Sequence, residues 1–283
     1  FKQKTAYEIP LRLVGSEMCI RDRSNSDIGF LFGTAFGVFY SVVGIPMGKL
    51  ADSWNRKNLI CIGLAFWSFM TFLSGTEKSF LSLSIYRFGV GIGESSASPS
   101  AYSLLSDYFS PKIRATVLSI YSSGLYIGAG IVLFLGGAIL DTWNSAYPDH
   151  TLAPFGLKGW QAAFMGVGLP GILLSIITFL FIKEPVRGMS EGIATETSKE
   201  PFKDTFKEFI GLTPISLIGE KESLKAIAIN SLLAFVIFGS CYVLYQLTDD
   251  FLQWTAWGIG AYLVSTWIPL SYTHLTLPTS DLV

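Results

Sequence analysis

Between residues 27 and 270 the chain is cut into long apolar runs by short polar stretches, and this rhythm limits what it can fold into. The runs cover about 27–49, 58–76, 79–106, 115–140, 160–182, 224–247 and 252–270. A helix needs roughly 20 apolar residues to cross the hydrocarbon core of a bilayer. Inside lipid, backbone polar groups find partners only within their own segment, so runs of this kind fold as helices. The reading is an all-α polytopic membrane protein with about seven spans. Charge content agrees: 14% of the residues are charged and half are hydrophobic, where a soluble domain carries about a quarter charged.

The same sequence excludes several function classes. Cys19, Cys61 and Cys241 show no paired or Cys/His spacing of a metal or redox site. His150 and His274 are the only histidines, and neither stands near a nucleophile. There is no catalytic triad, no Gly-rich nucleotide loop and no basic nucleic-acid patch. The chain is therefore read as a non-enzyme, with no cofactor, no metal and no nucleic-acid partner.

The loops carry an orientation. Lys49, Arg56 and Lys57 lie between the first two runs, and Lys112 and Arg114 between the third and fourth. Lys183, Arg187, Lys199, Lys203, Lys207 and Lys221 follow the fifth, whereas the alternate loops hold only Lys78 and Lys158. Basic loops collect on the cytoplasmic side, so loop 141–159 is expected outside and segment 184–223 inside. The first run then enters from outside, which calls for an earlier helix if the N-terminus is cytoplasmic. Within the inner segment, Phe202, Phe206 and Phe209 recur at helical spacing and fit either an amphipathic surface helix or a solvated linker.

Three motifs give the bundle a character. The loop 48–57, GKLADSWNRK, sets Gly48, Leu50, Asp52, Arg56 and Lys57 in order around a tight turn. Asp52 can cap helix ends and pair with Arg56, a latch that opens when two halves rock. On the third run, Arg87 and Glu94 stand seven residues apart and so share one helix face. Ionisable groups inside a span are costly and face a cavity or a partner, so these two are the candidate site. A salt bridge that merely orients the helix is the structural alternative. On the fourth run, Gly124 and Gly128 at GxxxG spacing, followed by Gly136, are read as helix-packing positions. Tyr86, Tyr102, Tyr121 and Tyr126 lie on the runs expected to line a cavity.

The loop 48–57 resembles the signature between the second and third helices of the major facilitator superfamily. Asn55 stands where Gly is usual, as it often does in the spinster-like branch. The segment 86–109, YRFGVGIGESSASPSAYSLLSDYF, is similar to the fourth helix of spinster-like transporters, and the Gly-rich fourth run resembles the fifth-helix antiporter motif without its usual Pro. The resemblance implies a major-facilitator-type bundle over 24–183 that lacks its first helix, a central loop over 184–223, and a helical hairpin over 224–270. That hairpin is either an inserted pair or the start of the second half. The strings 11–23 and 271–283 resemble translated library-adapter sequence, so 1–23 and 271–283 are set aside and the chain is read as a fragment missing most of its second half.

What the resemblance implies about function is secondary active transport by alternating access, proton-coupled or exchanging. Arg87 would attract an anionic head group and Glu94 would carry a proton or gate the substrate. The leading substrate is an amphipathic organic anion such as a lysophospholipid. A small carboxylate or sugar acid carried by symport is the alternative, and a non-transporting membrane receptor of the same fold is the rival class. The expected partners are a small-molecule substrate and membrane lipid, the expected state is a monomer, and the expected home is a bacterial inner membrane.

Overall fold

The computed structural model describes residues 35–77, 79–192, 198–211, 223–249 and 253–262, with Gly33 and Phe251. The adapter-like strings 11–23 and 271–283 lie outside the described residues. Every regular element described is helical, and no strand occurs among the described residues. In chain order they are α1 (Ala35–Ser53), α2 (Arg56–Ser74), α3 (Phe80–Glu94), α4 (Ala97–Tyr108), α5 (Pro111–Ala146), α6 (Gly159–Phe181), α7 (Pro201–Gly211) and α8 (Ser223–Thr248). A further helix, α9, covers 253–262. Arg56–Ser74, Pro111–Ala146, Gly159–Phe181 and Ala228–Thr248 are long and apolar enough to cross a membrane.

Two run boundaries differ from the sequence reading. The run 79–106 is one apolar stretch, yet it folds as α3 and α4 separated by a turn at Ser95 and Ser96. Both serines turn their hydroxyls back onto the helix they end, Ser95 to the Ile92 carbonyl at 2.7 Å and Ser96 to the Gly93 carbonyl at 2.8 Å. These bonds satisfy carbonyls that the break leaves without a helical partner. The second difference is α5, which starts with Pro111 in its first turn, where a missing N–H costs nothing, and continues to Ala146. Its 36 residues amount to about 54 Å of helix at 1.5 Å per residue, well beyond the thickness of the hydrocarbon core. The loop expected to start at 141 therefore starts at Tyr147. Two short 3₁₀ turns, His150–Leu152 and Pro154–Gly156, fill it, and the Trp143 indole N–H ties it down at the Leu157 carbonyl, 2.9 Å away.

Packing centres on α2, which meets α6 along most of its length and α3 and α4 on its other side. Glycines make these contacts close. A Cβ on Gly168 of α6 would stand 2.6 Å from the Phe72 backbone nitrogen, and one on Gly93 of α3 would stand 2.9 Å from that of Trp67. Gly91 lets α3 approach the α1 backbone, where a Cβ would lie 2.7 Å from the Phe36 carbonyl oxygen. Across the α2–α6 seam the buried Ser175 hydroxyl donates to the Cys61 carbonyl at 2.7 Å. Small residues at such seams let dispersion and short hydrogen bonds join helices that lipid does not push together.

The GxxxG side of the fourth run meets no helix among the described residues. No atom among the described residues lies within 4 Å of where a Cβ on Gly124, Gly128 or Gly136 would be. The reason is the seating of α5: it packs along α6 and touches α4, none of its residues is buried, and its glycine side is left open. The spacing states what could approach a helix and does not say which helix arrives. Hence Gly168→Val should destabilise the bundle by about 1–3 kcal/mol through overpacking. Gly128→Val should leave thermal unfolding in detergent within about 0.5 kcal/mol of the parent, and equal losses for the two would contradict this packing.

Candidate functional site

One end of the bundle gathers the basic loops. The α1–α2 turn, the end of α4, the start of α5 and the segment after α6 meet there. Lys158 and Glu77 lie at the other end, where the Gln161 side chain reaches the Glu77 carbonyl. At the centre of the basic end is Arg56, the first residue of α2, only 1% exposed. Its Nε donates to Glu184 Oε1 at 2.8 Å, and its Nη1 donates to Asp107 Oδ2 at 2.5 Å and to Ser103 Oγ and carbonyl at 3.0 and 3.2 Å. Its Nη2 donates to the Pro185 carbonyl at 3.2 Å. The planar guanidinium fork suits this role, because every edge meets an acceptor.

The two carboxylates are themselves held. Glu184 Oε2 accepts from the Lys57 backbone N–H at 2.8 Å, at the N-terminus of α2 where the helix dipole favours an anion. Asp107 Oδ1 accepts from the Gly188 N–H at 3.0 Å. Arg187 lies alongside, and its Nη2 donates to the Ala51 carbonyl at 2.7 Å and to the Trp54 carbonyl. A cation here satisfies open carbonyls at the C-terminus of α1. Burial, reinforced by the like charge of Arg56, holds the Arg187 pKa below the usual arginine value. Nearby, Arg114 bridges Glu191 at 2.8 Å and the Ser106 carbonyl at 3.1 Å, so the segment after α6 is sewn to both α4 and α5.

This geometry corrects the latch read from the sequence. Asp52 is exposed and makes none of the four ion pairs seen among the described residues. Asp52 and Arg56 would be neighbours four residues apart on one continuous helix, but the chain leaves the helix at Trp54 and Asn55. The capping expected of Asp52 falls to two other residues. Asn55 caps α2 by accepting from the Asn58 N–H at 2.8 Å, which gives this departure from the usual Gly a structural role. Arg187 caps α1. Gly48 has open space around it in the last turns of α1, and the Lys57 ammonium sits 4.4 Å from the centre of the Phe179 ring on α6.

The second locale lies midway along the bundle. Glu94 is the last residue of α3, at the break before α4, and is partly buried. From α1, the Tyr40 hydroxyl reaches Ser98 Oγ at 3.2 Å, a contact permitted by the close α1–α3 approach at Gly91. From α5, the Tyr121 side chain comes to the same Ser98 with Glu94, Tyr40 and Tyr102 within electrostatic range. Tyr102 meets Ser122 Oγ at 3.0 Å and packs edge-on against Tyr121, with ring centres 5.4 Å apart. Three helices thus supply a cluster of hydroxyls, and Glu94 lies within electrostatic range of one of them, Tyr121. Tyr126, by contrast, is 78% exposed and takes no part.

Arg87 and Glu94 both lie on α3. Seven residues of helix separate them by about 10 Å along the axis, too far for direct contact. The Arg87 guanidinium instead lies 4.8 Å from the centre of the Phe164 ring on α6, a cation–π contact. Sequence reasoning missed Ser103, Asp107, Glu184 and Arg187 as a unit, and Tyr40 and Ser98 as partners of Tyr121. The signal for the first set was present: acids at span ends, Asp107 and Glu184, among loops otherwise chosen for positive charge.

Apolar helices joined at glycine seams, a charge node at one end and a carboxyl midway define a multi-pass helical membrane protein of the transporter type. The Major Facilitator Superfamily profile matches residues 19–278. Human protein spinster homolog 1 is 33% identical over 165 residues, which are 57% of this chain and 28% of that protein. The probable L-galactonate transporter of Escherichia coli is 26% identical over 153 residues, 54% of this chain and 30% of that protein. Among solved structures, a bacterial homologue of the human lysosomal transporter Spinster, in an inward-facing and occupied conformation, aligns with a TM-score of 0.56 at 26% identity. That alignment covers 96% of this chain and 70% of the other. The chain belongs to the Major Facilitator Superfamily, is similar to its spinster-like members, and spans under a third of the length of those two curated relatives.

The Arg56 node yields a stability prediction. Arg56→Ala leaves Asp107 and Glu184 half-buried without their counter-charge, which should cost about 3–5 kcal/mol in thermal unfolding in detergent. Asp52→Asn should stay within about 0.5 kcal/mol of the parent. Comparable losses at both positions would restore the Asp52 latch.

Proposed function

We propose that the protein is a secondary active transporter working by alternating access, with Glu94 as the proton-coupling or substrate-gating carboxyl and Arg87 as the positive anchor for an anionic substrate. The observation that carries this reading is the placement of Glu94 at a helix break, within electrostatic range of Tyr121, whose hydroxyl belongs to a cluster with Ser98, Tyr40 and Tyr102. A carboxyl in such a place can exchange its proton for a contact with a bound solute without unfolding the span. Arg87, on the same helix, is held over the Phe164 ring of α6, and a cation on the same span as Glu94 can meet an anionic head group.

The basic end is then cytoplasmic, by the excess of Lys and Arg in its loops, and the host membrane is a bacterial inner membrane. At that end the Arg56 node serves as the gate that fixes one conformation of the bundle. The substrate class is an amphipathic organic anion such as a lysophospholipid, supported by the likeness to spinster proteins. A second reading, a sugar acid, is favoured by the hydroxyl-rich surroundings of Glu94 and by the L-galactonate relative.

The test is uptake by the full-length protein in proteoliposomes under an imposed pH gradient, with a lysophospholipid in one arm and a sugar acid in the other. Glu94→Gln should abolish gradient-driven uptake and spare exchange, because a neutral amide cannot cycle a proton. Arg87→Ala should weaken substrate binding by about 1–3 kcal/mol, the worth of a charged hydrogen bond. Gradient-driven uptake by Glu94→Gln equal to that of the parent would reject the coupling role.

A further inference from the structure

The helix α7 (Pro201–Gly211) lies against α1 at the basic end. Its fixed side is polar. Pro201, Asp204 and Thr205 are the partly covered residues, with Asp204 accepting from the Ser198 hydroxyl at 2.5 Å and Thr205 bonding back to the Pro201 carbonyl at 2.8 Å. The other side holds Phe202, Phe206 and Phe209, exposed by 59%, 62% and 44%. Positions i, i+4 and i+7 form a single stripe, so the three rings make one continuous apolar and largely exposed face, anchored at its Phe202 end.

The level of that face along the bundle is marked by its neighbours. Phe202 stacks on Trp54, ring centres 5.1 Å apart, in the turn between α1 and α2. At the same end, Lys57 lies over Phe179, near the exposed Leu180 and Phe181 where α6 ends. Trp and Lys beside aromatic rings at the ends of apolar spans mark the boundary between acyl chains and head groups. The phenylalanine stripe continues the lipid-facing surface of the spans at that boundary. We infer that α7 is a membrane-surface helix whose Phe202, Phe206 and Phe209 insert into the leaflet at the basic end.

The charges specify what kind of membrane contact this is. Lys199, Lys203 and Lys207 are matched in number by Glu200, Asp204 and Glu208, and Lys203 pairs with Glu200 at 2.6 Å. With no net charge, the helix gains little from anionic head groups, so apolar insertion carries the contact. Depth of insertion for such a helix is about 5–10 Å below the head groups.

The experiment places an environment-sensitive bimane dye at Phe206→Cys, and separately at Lys203→Cys, in the full-length protein with its native cysteines, Cys61 and Cys241 among them, replaced by alanine. The protein is reconstituted in vesicles of phosphatidylcholine alone and with added phosphatidylglycerol, with a nitroxide near the top of the acyl chain. The dye at 206 should shift to the blue and be quenched about twofold or more beyond the dye at 203, as expected for a shallow apolar face. The two vesicle compositions should give the same result. A water-like, unquenched dye at 206 would overturn the proposal. So would a blue-shifted dye that lipid nitroxides leave unquenched, because that face would then be covered by protein, whether a second copy or another segment. Quenching that requires phosphatidylglycerol would overturn the charge-independent form. Wild-type protein gives a check free of any folding defect: photolabelling with a vesicle-dissolved aryl diazirine should mark Phe202, Phe206 and Phe209. Labelling of α5 with none in α7 would count against the insertion.

Discussion

A guanidinium that is almost fully enclosed at the end of a membrane bundle must find acceptors all around it, and Arg56 draws those acceptors from distant parts of the chain. Ser103 and Asp107 come from the last turns of α4, and Glu184 and Pro185 from the segment after α6. Once these are in place, Arg187 is set against the end of α1, and Gly188 and Ser190 against Asp107 and Ser106. The order of the basic end follows from one buried cation and the two carboxylates that neutralise it. A buried pair of this kind adds little net stability compared with apolar packing, yet breaking it by removing one partner is costly.

The rest of the bundle divides by tightness of packing. Close contacts at Gly93, Gly168 and Gly171 join α2, α3 and α6 into one unit, and Gly91 adds α1 to it. By contrast, α5 leans on this unit along one side and leaves its glycine-bearing side open. Glu94 and its hydroxyl neighbours lie where the tight unit meets α5, so the candidate site has one firm wall and one loosely held wall. A site between elements of unequal packing is where a transporter can change access without disturbing its core.

Much of this was legible in the sequence, and the parts that were not share a physical cause. Span length and loop charge are local properties, so the apolar runs and the gathering of basic loops at one end could be read directly. The signature loop was legible as a turn, but its partners were not. Pairing Asp52 with Arg56 across that turn rests on both standing in it, whereas Arg56 meets Asp107 and Glu184, which are 51 and 128 residues away. The GxxxG spacing on α5 and the functional glycines of α2, α3 and α6 look alike in sequence, because nothing local says which helix comes near. Likewise the break at Ser95 and Ser96 sits inside an apolar run, and only the hydroxyl-to-carbonyl bonds that stabilise it reveal it. Tyr40 was overlooked because it reaches Glu94's surroundings from 58 residues away, through Ser98.

The central claim is that the surroundings of Glu94 are opened to one face of the membrane and then to the other. The most direct measurement is the reactivity of Ser98→Cys with a membrane-impermeant thiol reagent applied separately to each face of reconstituted proteoliposomes. Ser98 lies in the hydroxyl cluster and is partly buried, so a cysteine there reports access to the site itself. Alternating access predicts reaction from both faces, with an imposed pH gradient shifting the ratio of the two rates. Reaction from one face alone, unchanged by any gradient, would contradict the account.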